Sequence, residues 1–254
     1  MKILFVADVF GAPGREAVEQ RLPSLKEELG AGFCIVNAEN VADGAGVTPR
    51  LAGRLLAAGA DVLTLGNHAW RRREIGPYLE SSDRVTRPAN FATGAPGRGL
   101  AVVDGVAVVN LQGILFMPTP VSPFEVVDAL VEEARSQAKV VVVDFHAEAT
   151  SEKVAVARLL DGRVTAVIGT HTHVQTSDAR VQPGGTAAIT DAGMTGPHDS
   201  VIGVKAELAI GRMRSGMPVR FEPAEGGVRI EGVVVECDDE GRALSCEPLR
   251  VPVS

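Results

Sequence analysis

Five apolar runs of strand length each stop abruptly at Asp, Glu, Asn or His, and this repetition constrains the fold more than any other feature of the chain. Lys2 to Ala7 is followed by Asp8, Phe33 to Val36 by Asn37-Ala38-Glu39-Asn40, and Val62 to Leu65 by Gly66-Asn67-His68. Val140 to Val143 runs into Asp144-Phe145-His146, and Val164 to Ile168 into Gly169-Thr170-His171-Thr172-His173. Continuous apolar runs suit strands buried on both faces, and helical patterns between them make an α/β fold. In open α/β sheets, ligands bind beyond the carboxyl ends of the strands, where loops converge on one crevice. Four of the five histidines, His68, His146, His171 and His173, fall at such ends.

The helical patterns cover residues near 13 to 29, 49 to 58, 70 to 80, 124 to 138 and 151 to 161. Thr48-Pro49 provides a capping hydroxyl and a proline at the first helical position, and Pro23 is expected to kink or divide the first helix. Asp104-Gly105 between alternating apolar runs over 99 to 111 reads as a β-hairpin. From Val219 onward the chain is rich in Val, Gly and charge, as for antiparallel strands completing a second sheet. With no internal repeat and no low-complexity linker, the 254 residues are read as one domain, 1–254.

Composition excludes several classes. A hydrophobic share of 45% and a charged share of 22% are globular values. The net charge of −7 opposes a long nucleic-acid partner, which is bound by surplus Lys and Arg. With aromatics at 4%, there is no platform for a long single strand. Cys34, Cys237 and Cys246 form no CxxC pair and read as reduced thiols. No run approaches the ~20 apolar residues of a membrane span, and MKILFVADVF is too short an apolar core for a leader, so a cytoplasmic location is expected.

Taken singly, the polar strand ends are ambiguous. Asp8 also suits a helix cap or turn, Glu39-Asn40 a solvated loop, Asn67-His68 a turn, and His146 a hydrogen-bonded core histidine. Gly169-Thr170-His171-Thr172-His173 is the most specific piece: alternation along an extended segment would put both imidazoles on one side. Imidazole, carboxylate and amide oxygen together suit Mn, Fe or Zn, and the lack of nearby thiolate opposes a structural zinc site. Arg71-Arg72-Arg73 reads as a solvated helix face more readily than a phosphate guide, Trp70 as packing, and His198 as a loop residue near the rim.

The order Asp8, Glu39-Asn40, Gly66-Asn67-His68, His146 and GTHTH resembles the calcineurin-like metallophosphoesterases. The stretches ADVFGAPGR, NAENVADGAG, GNHAW, DFHAEATSEK, GTHTHVQTSD and TDAGMTGP resemble their YmdB-type branch over residues 1 to about 200. The resemblance implies a four-layer α/β/β/α sandwich with two mixed sheets. It also implies two transition-metal ions, Fe or Mn with Zn as the alternative, and activity on 2′,3′- or 3′,5′-cyclic nucleotides. On the family pattern, Glu39 bridges the metals. Asp8, Asn40 and His173 complete one ligand set, Asn67, His146 and His171 the other, and His68 is the proton donor. Phe10 stands where the wider superfamily has a histidine, with Asn40 as the compensating ligand. A small homo-oligomer follows from the resemblance alone.

Such a centre would place a hydroxide for in-line attack on a phosphodiester while His68 protonates the departing ribose oxygen. Its formal charge, with two carboxylates and a hydroxide around two divalent ions, suits a diester monoanion better than a monoester dianion. Two alternatives stand beside this reading. One is a metal-containing regulatory or scaffold protein with little catalysis. The other is a phosphomonoesterase or nuclease on the same centre.

Overall fold

The computed structural model describes residues 1–253. In chain order the elements are β1 (Lys2–Val6), α1 (Gly11–Leu29), β2 (Phe33–Asn37), α2 (Pro49–Ala57), β3 (Val62–Thr64), α3 (Ile75–Ser81), β4 (Leu100–Val103) and β5 (Val106–Gln112). They continue with α4 (Pro123–Gln137), β6 (Val140–His146), α5 (Thr150–Leu159), β7 (Ala166–Thr170), β8 (Arg180–Val181), β9 (Ala187–Ile189), β10 (Gly196–Pro197), α6 (Ala206–Ser215), β11 (Val228–Cys237) and β12 (Ala243–Pro252).

Two mixed sheets result. One has the order β10-β11-β1-β2-β3, with β12 also paired to β11; the other runs β4-β5-β6-β7-β9-β8. β1, β2 and β3 are parallel, as are β5, β6, β7 and β9, so their carboxyl ends gather at common edges. Alternate residues of each strand serve different layers. Ile3, Phe5, Ile35 and Val233 meet Val108, Val142 and Ile168 between the sheets. Leu4, Val6 and Val36 pack beneath Leu22 of α1 and Leu55 of α2, while Val109 and Val143 pack beneath Val131 of α4 and Val156 of α5. The layers are therefore α/β/β/α. Burial on both faces explains the unbroken apolar runs, each large side chain contributing roughly 1.5–3 kcal/mol.

Local chemistry sets the helix ends and departs from the sequence reading in places. Thr48 caps α2 by accepting from Leu51 N–H at 3.2 Å, with Pro49 at the start. Pro23 does not divide α1; it lies on the exposed face, where water can take the carbonyl that its ring leaves unpaired. Residues 70–74 form turns and α3 begins only at Ile75, because Arg72 donates to the carbonyls of Ala42 and Ala45 and anchors this stretch to the preceding loop. The C-terminal hairpin joins the sheet of β1 and does not complete the second one. β11 covers the edge β1 would otherwise expose, with Ile3 opposite Val235, and the second sheet is closed by β8 and β9. Among the described residues, no helix is long and apolar enough to cross a membrane.

Candidate metal centre

The site forms where the carboxyl ends of β1, β2 and β3 face those of β6 and β7. Glu39 is buried there, with Oε1 3.0 Å from His146 Nε2 and Oε2 accepting from His68 N–H at 3.1 Å. His146 Nε2 also lies 3.0 Å from Asn67 Oδ1 and 3.1 Å from His171 Nδ1. A carboxylate oxygen, an amide oxygen and two ring nitrogens thus converge from four segments. Glu39, His146 and His171 by themselves place ligand atoms within 4.8 Å of one another.

His146 and His173 have their outer nitrogen hydrogen-bonded to an acceptor and His171 has a carboxylate beside its own, an arrangement that selects the tautomer. Thr170 spends its hydroxyl hydrogen on Asp144 Oδ1 at 2.7 Å, so its oxygen accepts from His146 Nδ1 at 2.9 Å. His171 Nε2 lies 3.2 Å from Glu148 Oε2, and His173 Nδ1 donates to Ile202 O at 3.0 Å. Lone pairs on His146 Nε2, His171 Nδ1 and His173 Nε2 therefore turn inward. Two neutral imidazoles cannot hold lone pairs 3.1 Å apart with nothing between them, so a proton or a cation must sit there.

A second corner lies beside the first. Asp8 is fully buried; its Oδ2 accepts from His171 N–H at 3.1 Å, and its Oδ1 has no hydrogen-bond partner. That orphaned oxygen is 3.8 Å from His173 Nε2, which in turn is 3.1 Å from Asn40 Nδ2. An unpaired buried carboxylate oxygen is costly unless something positive meets it. Asn40 presents its amide nitrogen to His173 and Glu39 and its oxygen to His68 Nδ1 at 2.7 Å, so ligation at this corner requires the amide to turn over. Gly66 lies directly against the site, since a methyl there would collide with His146 and with Glu39 Oε2. These donors fit transition-metal ions: imidazole nitrogen and carboxylate or amide oxygen, with no thiolate.

Protonation follows from the same contacts. Burial disfavours charge on His146, but the Glu39 carboxylate overrides it and raises the imidazole to about 9. Burial, with His146 adding to it, lowers His171 to about 3. Burial raises Asp8 well above the usual carboxylate range and, outweighing the pull of Glu39, lowers His68. Glu39 is held far below its ordinary value; burial opposes this, but His146 prevails.

All eight residues singled out in the sequence, Asp8, Glu39, Asn40, Asn67, His68, His146, His171 and His173, lie in this one constellation. Strand alternation does not bring the histidine pair together, however. His171 and His173 have φ of 101° and 64°, so the segment is not extended and the strand alternation does not apply. Asp8 and Asp191 hold its backbone instead: Asp191 accepts from Thr172 N–H at 3.0 Å, and Lys153 offsets its charge at 2.7 Å. Phe10 stands edge-on to His173, ring centroids 5.6 Å apart, and packs with Met194 and Val204. His198 donates to Met194 O at 3.1 Å, Trp70 packs on Phe91, and Arg72 serves the loop. Sequence reasoning gave no role to Glu148, Thr170, Asp144, Lys153 and Asp191, whose partners lie 19 to 38 residues away; Asp144 and Glu148, flanking His146, were the one local signal.

Two mixed sheets between helical layers, with His, Asn and carboxylate groups massed at their strand ends, define a metallophosphoesterase-type fold. The chain belongs to the YmdB-like protein family, whose family model matches residues 4–249. It is 46% identical over 244 residues to the 2′,3′-cyclic-nucleotide 2′-phosphodiesterase of Bacillus subtilis (strain 168), covering 94% of this chain and 92% of that protein. A crystal structure of a protein from Thermus thermophilus superposes with a TM-score of 0.93 at 40% identity, covering 100% of both chains. That of a novel phosphatase from Mycoplasma pneumoniae gives 0.91 at 34% identity, covering 99% of this chain and 93% of the other.

Proposed function

We propose that the chain is a metal-dependent phosphodiesterase that opens nucleoside 2′,3′-cyclic phosphates. Two transition-metal ions, Mn or Fe, would be held by Asp8, Glu39, Asn40, Asn67, His146, His171 and His173. The observation that carries this reading is the inward convergence of lone pairs on His146 Nε2, Glu39 Oε1, Asn67 Oδ1 and His171 Nδ1, beside the orphaned Asp8 Oδ1. The B. subtilis relative's named substrate supports the choice of diester.

When bound, cations at these donors would supply Lewis-acid stabilisation of phosphate charge and lower the pKa of a water. The chain's own groups do the rest. Glu39 stays ionised across the physiological range and stands between the two corners. Asp144, Thr170, Glu148 and the Ile202 carbonyl keep the imidazoles turned inward. His68 lies at the mouth, its Nδ1 against Asn40, leaving Nε2 for substrate. Burial keeps His68 neutral in the free site, and a docked phosphate anion raises its pKa, so it takes up a proton that it returns to the departing ribose oxygen.

The test is turnover of adenosine 2′,3′-cyclic phosphate and of adenosine monophosphates by chelated protein and by protein reloaded with Mn or Fe. Reloaded protein is expected to open the cyclic diester at least tenfold faster than it cleaves any monoester, and chelated protein to do neither. Preference for the monoester would leave the phosphomonoesterase alternative, and inactivity with full metal loading the scaffold alternative.

A further inference from the structure

The cavity over the centre, about 320 Å³, is lined by residues of two unlike kinds. Beside the metal-ligand candidates, His68, Glu148 and Thr172, the lining includes Phe10, Gly44, Ile202, Val204 and Phe221, which bring no hydrogen-bonding side chain. The apolar lining is built at a conformational cost. Ile202 has φ of 47° and Gly203 φ of 99°, within a tight turn closed by reciprocal Val201–Val204 backbone bonds of 2.9 and 3.0 Å. Turns with two positive φ values call for Asn, Asp or Gly, and a β-branched residue there is strained. Ile202 nevertheless leaves its side chain 53% exposed, so burial in the core does not account for its presence. Strain of this kind accumulates where a side chain serves a ligand.

Phe221 completes the surface. It is 39% exposed at the cavity, with the Arg212 guanidinium 5.1 Å from its ring centroid. Backbone bonds from Lys205 to Glu222 and from Ala224 to Gly203 clamp its segment to the Ile202 turn. The same turn reaches the centre itself, because the Ile202 carbonyl holds His173 Nδ1 and Gly203 presses on the Phe10 ring.

We infer that Ile202 and Phe221 form a nucleobase platform, which seats the base of the substrate against an apolar wall while its cyclic phosphate meets the polar groups. This rests on the phosphodiesterase reading above and adds the part of the substrate that is recognised. A wall without hydrogen-bonding side chains accepts any base by its flat face and favours purines over pyrimidines by contact area. It gives little to a diester that carries no base.

The test compares kcat/KM for adenosine 2′,3′-cyclic phosphate and glycerol 1,2-cyclic phosphate, which share the five-membered phosphate ring, on metal-loaded protein. The platform predicts that the ratio of the two falls about tenfold in Phe221→Ala, through KM and not kcat, and recovers in Phe221→Tyr. Ile202→Gly, which suits the positive φ, lowers the ratio as well. An unchanged ratio, or equal losses on both substrates, overturns the platform. Should the wild type open neither substrate, the phosphodiesterase reading fails. The platform is then read by calorimetry with adenosine 3′-phosphate and inorganic phosphate, where equal nucleotide affinity in wild type and Phe221→Ala overturns it.

Discussion

His146 and Asp8 show two ways in which buried charge is met within this constellation. The His146 imidazole, at about 9, is protonated at neutral pH and bridges Glu39, Asn67 and His171, so the proton stands in for a cation. No hydrogen-bond donor meets Asp8 Oδ1, and burial drives that carboxyl toward its neutral form. His68 differs from both, lying at the mouth with a lowered pKa and no place among the inward-facing lone pairs. An acid role for it has a kinetic signature, because a ribose alkoxide needs a proton on departure far more than a nitrophenolate does. His68→Ala is expected to cut turnover of a cyclic nucleotide about 10²–10⁴-fold and that of bis(p-nitrophenyl) phosphate by much less. Steady-state rates on both substrates decide this, and equal losses would remove His68 from the acid role.

At the scale of elements, the strand ends were legible because their chemistry is local. An apolar run buried on both faces followed by Asp, Asn-His or His reads directly from the sequence, and Thr48-Pro49 marks the start of α2. What escaped depends on partners distant in sequence. The placement of β11 beside β1 is set by an exposed edge that only the folded sheet possesses. α6 was missed because Ala209 is the one buried residue along it, too little for an apolar stripe. The turns before α3 depend on carbonyls 27 to 30 residues earlier. The conformation of His171 and His173 depends on Asp8 and Asp191. The β3 end makes a testable claim: His146 and Glu39 pack against Gly66 where any side chain would stand. Gly66→Ala should lose bound metal and destabilise the fold by about 1–3 kcal/mol through overpacking. Metal content and denaturant unfolding of the purified variant check both, and a variant retaining wild-type metal would show that the close approach at Gly66 does not position the ligands.

The whole molecule resembles two half-sites closed by the packing of two sheets. Asp8, Glu39, Asn40, Asn67 and His68 come from one sheet, His146, His171 and His173 from the other, and the apolar layer of Phe5, Ile35, Val142 and Ile168 sets their separation. Ion binding at the junction should therefore support the fold as well as the chemistry, and it must displace protons first. His146 is raised from its ordinary value near 6.5 to about 9, so its proton-linked stability in metal-free protein is complete below about pH 6.5 and lost as pH climbs through 9. Asp8, also raised, works in the same direction. Metal-derived stabilisation should accordingly grow from pH 6 to pH 8.5. The decisive measurement is calorimetric titration of metal-free protein with Mn²⁺ across this range, in buffers of different ionisation heat. Two ions per chain, net proton release at neutral pH and affinity rising with pH are the predicted result. Absence of binding, or binding that survives unchanged in Glu39→Gln and His146→Ala, would contradict a metal centre at these residues.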